Sequence, residues 1–198
     1  MKRTSPAALR NREPISLVLE SYLLPAAKVL EVASGTGEHG VYFTDKIPDL
    51  IWQPSDIEND ALASIQAYRE ESGEARLLKP LKFDVLEDSD LEKSYNAVFC
   101  ANMIHIAPPD ASIGLIKLAR KALVADGLFF LYGPFKNRGM NLEPSNQDFD
   151  ENLRRRNPDW GIRTLEDIID QAASHGFELV HQQLMPANNR ILILRNVL

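Results

Sequence analysis

A run of small residues between a hydrophobic stretch and a helix is the part of the sequence best suited to chemistry. It reads Val29-Leu30-Glu31-Val32-Ala33-Ser34-Gly35-Thr36-Gly37-Glu38-His39-Gly40. Gly35 and Gly37 let the backbone turn tightly and approach a ligand without a Cβ in the way. The helix that follows offers free backbone N–H groups at its start. The pattern predicts a ligand site, and its match to the dinucleotide fingerprint G-x-G-x-x-G is weak support taken alone.

Two aspartates follow later hydrophobic stretches. Asp56 comes about 20 residues after Gly35, the separation at which a carboxylate accepts hydrogen bonds from ribose hydroxyls. Asp84 lies at the carboxyl end of a short strand, where it can accept a hydrogen bond from an adenine amino group. Taken singly, Asp56 is better explained as a helix cap, and a surface loop explains Asp84 equally well. Together with the glycine turn, Asp56 is predicted to bind ribose.

Short apolar runs alternate with amphipathic stretches along the chain, which predicts βαβ units and a mainly parallel sheet. A helix is predicted over residues 15–24. Residues 133–160 are expected to form an irregular stretch, and a loop of this length is usually functional or partly helical. The fold class is therefore α/β, a Rossmann-like seven-stranded sheet, mostly parallel, with a C-terminal antiparallel hairpin and helices on both faces. The predicted strands are residues 28–33, 51–56, 81–85, 95–101, 128–132, 177–184 and 190–197.

Length and composition exclude several classes of protein. The 198 residues fit one domain, in which residues 1–27 form an N-terminal helix and lid and residues 28–198 form the core. The net charge of −6 argues against a nucleic-acid partner. The single cysteine, Cys100, and the absence of metal-ligand spacing predict no disulfide within the chain and no metal. No apolar run is long enough to cross a bilayer, so a cytoplasmic protein without membrane contact is expected.

The sequence resembles class I S-adenosylmethionine-dependent methyltransferases over nearly its whole length. It is closer still to a small methyltransferase-like family long described as a domain of unknown function, the methyltransferase-like 26 type. The strings that carry this resemblance include Ser5-Pro6-Ala7-Ala8, Arg10-Asn11-Arg12-Glu13-Pro14-Ile15, the glycine turn, Trp52-Gln53-Pro54-Ser55-Asp56, Ala101-Asn102-Met103-Ile104-His105-Ile106, Tyr132-Gly133-Pro134-Phe135, Trp160-Gly161-Ile162-Arg163 and Met185-Pro186-Ala187-Asn188-Asn189.

The resemblance implies S-adenosylmethionine as cofactor and S-adenosylhomocysteine as product. Glu31 and the backbone of the glycine turn would meet the methionine end, Asp56 the ribose and Asp84 the adenine. The superfamily usually has glycine at the position of Ala33, whose methyl group narrows the approach to the cofactor. The implied cofactor-binding residues are Glu31, Ala33, Ser34, Gly35, Gly37, Asp56, Ile57, Asp84, Val85 and Asn102.

The candidates for catalysis are Asn102, His105 and Tyr132. His105 can position or deprotonate a substrate, and packing against the next helix is the competing explanation. Loops after neighbouring parallel strands converge on one crevice, and the N-terminal helix can fold over it as a lid. On that argument the substrate wall is predicted to consist of Arg12, Glu13, His105, Tyr132 and Phe135.

The predicted function is methyl transfer from S-adenosylmethionine to a small molecule or a protein. Two alternatives stay open. The first is a non-catalytic S-adenosylmethionine-binding module that works through a partner protein. The second is an NAD-dependent oxidoreductase, which Glu31 argues against because a carboxylate beside the turn would repel a dinucleotide phosphate. The sequence does not identify the methyl acceptor or the oligomeric state.

Overall fold

The computed structural model describes residues 1–87 and 91–197. Its helices are α1 (Pro6–Tyr22), α2 (Glu38–Lys46), α3 (Asn59–Ser72), α4 (Pro109–Ala122), α5 (Pro144–Arg156) and α6 (Leu165–Ser174), with a 3₁₀ turn at Ile104–Ile106. Its strands are β1 (Lys28–Val32), β2 (Ile51–Asp56), β3 (Leu81–Lys82), β4 (Tyr95–Ala101), β5 (Leu123–Lys136), β6 (Arg163–Thr164), β7 (Phe177–Met185) and β8 (Asn189–Asn196).

The strands form one mixed sheet in the order β3-β2-β1-β4-β5-β8-β7, and the two-residue β6 pairs with β5. β1 to β5 are parallel, whereas β8 is antiparallel to both β5 and β7. The predicted α/β fold with its C-terminal hairpin is therefore confirmed. β1 pairs with β2 on one side and with β4 on the other, so the topological switch point of the sheet lies between β1 and β4. Ligands of open parallel sheets bind at such a point, beyond the carboxyl ends of the strands.

The alternation of side chains along β1 divides the core between the two faces of the sheet. Leu30 and Val32 join the apolar cluster under α4 and α6, whereas Val29 joins the cluster under α1 and α2. Glu31 belongs to the same face as Val29 because side chains two residues apart in a strand share a face. A charged residue is thus directed into a packed core layer.

The N-terminal helix begins nine residues earlier than the predicted residue 15, at Pro6. The Ser5 hydroxyl accepts a hydrogen bond from Ala8 N at 3.3 Å and caps the helix, and proline is tolerated in a first turn. Pro14 lies inside the helix without ending it. The buried positions Ala8, Asn11, Ile15 and Leu19 continue one helical stripe, which holds the extra turns against the core.

The stretch after the fifth strand is partly helical. β5 continues to Lys136, beyond its predicted end at residue 132, and residues 144–156 form α5. α5 buries only Asn146 and Leu153, so it lacks the apolar periodicity by which a helix is identified from sequence. In the part of the chain that the structure describes, no helix is long and apolar enough to cross a membrane.

Candidate functional site

A cavity of about 760 Å³ opens at the carboxyl ends of β1, β2 and β4. Its size lies in the range typical of small-ligand sites. Six segments that are far apart in sequence supply its wall, and the residues used below are Arg3, Ser5, Ala7, Ala8, Ala33, Ser34, Gly35, Thr36, His39, Asp56, Ile57, Glu58, Phe83, Asp84, Val85, Leu86, Asn102, Ile106 and Trp160.

The first wall of the cavity is the turn after β1. Ala33 and Gly35 both have left-handed backbone angles, with φ of 57° and 60°. A Cβ placed on Gly35 would meet no atom within 4 Å, so this backbone faces open space. Ser34 fixes the turn to β2, because its backbone N donates to Ser55 O at 2.8 Å and its hydroxyl accepts from Ser55 N at 3.0 Å. The turn thus offers an uncovered stretch of backbone to a ligand.

Asp56 stands opposite this turn at the end of β2. Its Oδ2 accepts a hydrogen bond from Gly35 N at 2.8 Å, and its Oδ1 accepts one from Glu58 N at 3.0 Å. Burial raises the pKa of the carboxyl group above its ordinary value. Each carboxylate oxygen has two lone pairs, so both keep capacity to accept from a ligand hydroxyl. Ile57, next in the chain, lies exposed at the cavity rim.

The segment after β3 forms the apolar end of the cavity. Phe83, Val85, Leu86 and Ile106 line it together. Asp84 also lines this end, and its Oδ1 accepts from Leu86 N at 2.9 Å, which fixes the local turn. An apolar slot with a carboxylate at its edge suits a flat heterocycle that carries an amino group.

Glu31 is not among the residues that line this cavity. It is 1 % exposed and is turned into the core. Its Oε2 accepts from Trp52 Nε1 at 2.9 Å, and its Oε1 lies 3.3 Å from His39 Nδ1. His39 Nε2 in turn is 2.8 Å from Asn11 Oδ1, and Asn11 hydrogen-bonds the Tyr132 hydroxyl. Glu31 is therefore part of a buried polar layer, and the methionine contact expected of it stays a prediction.

Gly37 is likewise placed away from the cavity wall. Its φ is 91°, and a Cβ there would lie 2.8 Å from the Cα of Ile65 in α3. Real Cβ atoms do not approach a backbone so closely, so glycine is required for α3 to pack on the turn. The structure gives the two glycines of the turn different roles, since Gly35 faces the cavity and Gly37 faces a helix.

Asn102 and His105 meet beside Gly133, but only Asn102 lines the cavity. A Cβ on Gly133 would be 3.5 Å from the His105 ring and 3.7 Å from Asn102 Oδ1. His105 is buried, and its Nδ1 has no partner among the described residues. Burial, with a smaller effect from Arg163, lowers the pKa of His105 to about 4. The imidazole is thus neutral at pH 7 and packs edge-on against Phe149.

The remaining residues predicted for the substrate wall lie elsewhere. Tyr132 and Phe135 are core residues with 3 % and 6 % exposure, and burial raises the pKa of the Tyr132 hydroxyl. Arg12 lies over the Tyr42 ring, 4.6 Å from its centre, and Glu13 is exposed on α1. The cavity wall itself contains none of these four side chains.

The N-terminal segment does reach the cavity, through residues that the sequence prediction missed. Arg3, Ser5, Ala7 and Ala8 line it, and Trp160 lines it from the segment after α5. The missed signal was the helical spacing of Ala8 and Asn11 with Ile15, which places the first turn of α1 on the core side. Because α1 starts early, its first turn, and not Arg12 and Glu13, borders the cavity.

The residues present fit S-adenosylmethionine as judged from their geometry. The backbone of Gly35 is uncovered, Asp56 can accept from vicinal hydroxyls, and the slot at Val85 is apolar with Asp84 at its edge. In the described residues no group of three or more His, Cys, Asp or Glu side chains is arranged to hold a metal ion.

Solved structures with the same fold are methyltransferases or share their architecture. The S-adenosylmethionine-dependent methyltransferase SibL has 16% identity and a TM-score of 0.80 over 97% of this chain and 56% of its own. An O-methyltransferase family protein from Burkholderia thailandensis has 13% identity and a TM-score of 0.80 over 96% and 57%. The PH0226 protein from Pyrococcus horikoshii OT3 has 14% identity and a TM-score of 0.77 over 98% and 92%. The chain thus spans little more than half of the first two.

At these identities the likeness establishes the methyltransferase-like Rossmann fold alone. A sequence model of a protein family matches nearly the whole chain, from residue 2 to residue 196. The protein belongs to the family described as protein of unknown function DUF938.

Proposed function

We propose that this protein is an S-adenosylmethionine-dependent methyltransferase that acts on a small molecule or a protein. One observation carries the proposal: the uncovered turn at Gly35, the Asp56 carboxylate and the apolar slot at Asp84 and Val85 line one cavity at the switch point of the sheet. The turn suits an amino-acid chain, the Asp56 carboxylate suits a ribose, and the apolar slot suits an adenine. Structures of similar fold, SibL among them, are methyltransferases by name.

The protein's share of the reaction would be binding, orientation and exclusion of water. The cofactor supplies a methyl group already activated on a sulfonium. Asp56 would hold the ribose, and the segment Arg3–Ala8 with Trp160 would close the cavity over the reacting end. Asn102 stands beside this end with a left-handed φ of 60°, held by a hydrogen bond from its N to Tyr132 O at 2.9 Å. A methyl acceptor would approach between Asn102 and the N-terminal segment.

The finer parts of the assignment rest on sequence. The shared motifs support the methyltransferase-like 26 type within the family, and the acidic composition supports an acceptor other than nucleic acid. One cysteine and no bilayer-length apolar run support a cytoplasmic location without membrane contact.

A non-catalytic S-adenosylmethionine-binding module that works through a partner protein is the second candidate. It is favoured by the placement of His105 and Tyr132 in the core, which leaves the described cavity wall without either predicted catalytic ring. The oxidoreductase alternative is opposed by the C-terminal antiparallel hairpin of β7 and β8, whereas Glu31 bears on it less than expected because its side chain is turned into the core.

Two measurements test the proposal. Calorimetry should show binding of S-adenosylmethionine and S-adenosylhomocysteine and none of NAD. Incubation with methyl-labelled S-adenosylmethionine and a cell extract should transfer label to a small molecule or a protein. Binding without transfer would favour the non-catalytic module, and binding of NAD alone would refute both S-adenosylmethionine assignments.

A further inference from the structure

Charge is unevenly distributed around the cavity. Asp56, Glu58 and Asp84 place three carboxylates along the walls contributed by β2 and β3. Arg3 is the only arginine or lysine among the described residues that line the cavity. It comes from the N-terminal segment, as do Ser5, Ala7 and Ala8, so acidic and basic groups enter the cavity from different parts of the fold.

The main chain around Arg3 is fastened to the glycine turn. Arg3 N donates to Ser64 Oγ at 2.8 Å, and Ser64 Oγ donates to Thr36 O at 2.8 Å. Two residues on, Ser5 N donates to Glu38 Oε2 at 2.6 Å, the same oxygen that accepts from Thr36 Oγ1. One serine and one buried glutamate thus connect this segment to residues 36–38, and Arg3 is held beside the turn.

The Arg3 side chain differs from that of its neighbour. Lys2 forms an ion pair with Glu71, with Nζ 2.7 Å from Oε1. The Arg3 guanidinium has no hydrogen-bond or ion-pair partner in the part of the chain that the structure describes, and the residue is exposed. A guanidinium offers five N–H donors in a planar fork that matches a carboxylate. Arg3 is therefore a cation at a cavity rim with its binding capacity unused.

We propose that Arg3 binds the α-carboxylate of the methionyl group of S-adenosylmethionine. This inference rests on the proposed function and adds to it the side chain that binds the amino-acid end of the cofactor. A carboxylate is repelled at the end that holds Asp56, Glu58 and Asp84, and is attracted to Arg3 beside the turn. The nucleoside therefore occupies the acidic end, and the amino-acid end points to the N-terminal segment.

Calorimetry with two ligands tests the proposal. S-adenosylhomocysteine carries the carboxylate, and 5′-methylthioadenosine keeps the adenine, ribose and thioether but lacks the amino-acid group. Arg3→Gln should weaken S-adenosylhomocysteine about fivefold and leave 5′-methylthioadenosine unchanged, since an exposed charge pair contributes modestly. Arg3→Lys should recover part of the loss, and the loss should shrink at high salt. Lys2→Gln is the matched control, because it removes the same charge one residue away, outside the cavity wall, and should change neither affinity.

The possible outcomes distinguish a failure of the Arg3 assignment from a failure of the cofactor assignment. Unchanged affinity of Arg3→Gln for S-adenosylhomocysteine, or an equal loss for both ligands, would refute the role of Arg3 while the cofactor assignment stands. A wild-type protein that binds neither ligand would refute the cofactor assignment and the role of Arg3 with it.

Discussion

The turn after β1 has two sides, and neighbouring residues in the sequence belong to different ones. On the cavity side, Gly35 and Asp56 leave backbone and lone pairs uncovered. On the rear side, Glu31 uses its two oxygens on Trp52 and on His39, whose ring also borders the cavity, and Gly37 packs against α3. A polar residue near a site can therefore bind a ligand only if hydrogen bonds inside the protein leave some of its donors or acceptors unused. Substitutions on the rear side should cost stability, and those on the cavity side should cost affinity.

The largest effect is expected from Glu31→Leu. This change leaves Trp52 Nε1 without its acceptor and removes the oxygen beside His39 Nδ1, so we expect a loss of about 4 kcal/mol in the free energy of unfolding. Urea denaturation monitored by Trp fluorescence measures it. Glu31→Gln retains one acceptor and should lose less than half as much. Equal stability of Glu31→Leu and the wild type would contradict the rear-side assignment.

The glycine pair gives the next largest contrast. Gly37→Ala should lower the free energy of unfolding by about 3 kcal/mol, because the new Cβ meets the Ile65 backbone and the residue keeps a left-handed φ. Gly35→Ala meets no atom and should cost only about 1 kcal/mol, the penalty of its φ alone. Both values come from denaturation of the two variants side by side. A larger loss for Gly35→Ala would reverse the two roles.

His105 is buried beside Asn102, outside the cavity wall, and adds a pH dependence to the comparison. Its pKa falls from 6.5 to about 4 on folding, so between these values the unfolded chain binds the extra proton and the folded chain does not. This contribution to stability is present above pH 6.5 and is lost as pH falls toward 4. We expect a loss of about 2 kcal/mol between pH 7 and 4.5.

The measurement is urea denaturation of the wild type and His105→Leu at both pH values. The variant lacks the titrating group, so its stability should fall less over this interval, whatever its stability at pH 7. The same pH slope in both proteins would contradict the buried neutral imidazole.

On the cavity side, Asp56→Asn is expected to act mainly on affinity. It should weaken S-adenosylhomocysteine about tenfold, the scale of one hydrogen bond to a charged group. Its free energy of unfolding should fall by about 1 kcal/mol, because the amide nitrogen cannot accept the hydrogen bond of one of the two backbone N–H groups, Gly35 N or Glu58 N. Asp60→Asn in the exposed first turn of α3 is the control for a nearby loss of charge. If Asp56→Asn binds as tightly as the wild type, Asp56 serves only as an acceptor for Gly35 N and Glu58 N.

The elements with local sequence signals could be predicted from the sequence alone. β2 and β4 have the bounds predicted from their apolar runs, and the glycine turn and the acid at residue 56 stand where the βαβ pattern put them. Runs of apolar residues and turn residues act within a few positions, so they can be identified without knowledge of neighbours. The capped start of α1 belonged to this class too, since Ser5 and the spacing of Ala8 and Asn11 encode it.

Whether a side chain contacts the core or the cavity depends on tertiary contacts between residues far apart in the sequence. Glu31 meets Trp52, a partner 21 residues away, and His39 meets Asn11, 28 residues away. Arg3 lies at the cavity because Ser64, 61 residues away, and Glu38 hold the backbone of its segment there. A side chain can bind a ligand only with the donors and acceptors that such distant partners leave unused. Sequence patterns do not show which partners these are, so they do not predict which groups stay unused. The sequence thus determined where a site lies, and the packing of α1, α2 and α3 decided which residues face it.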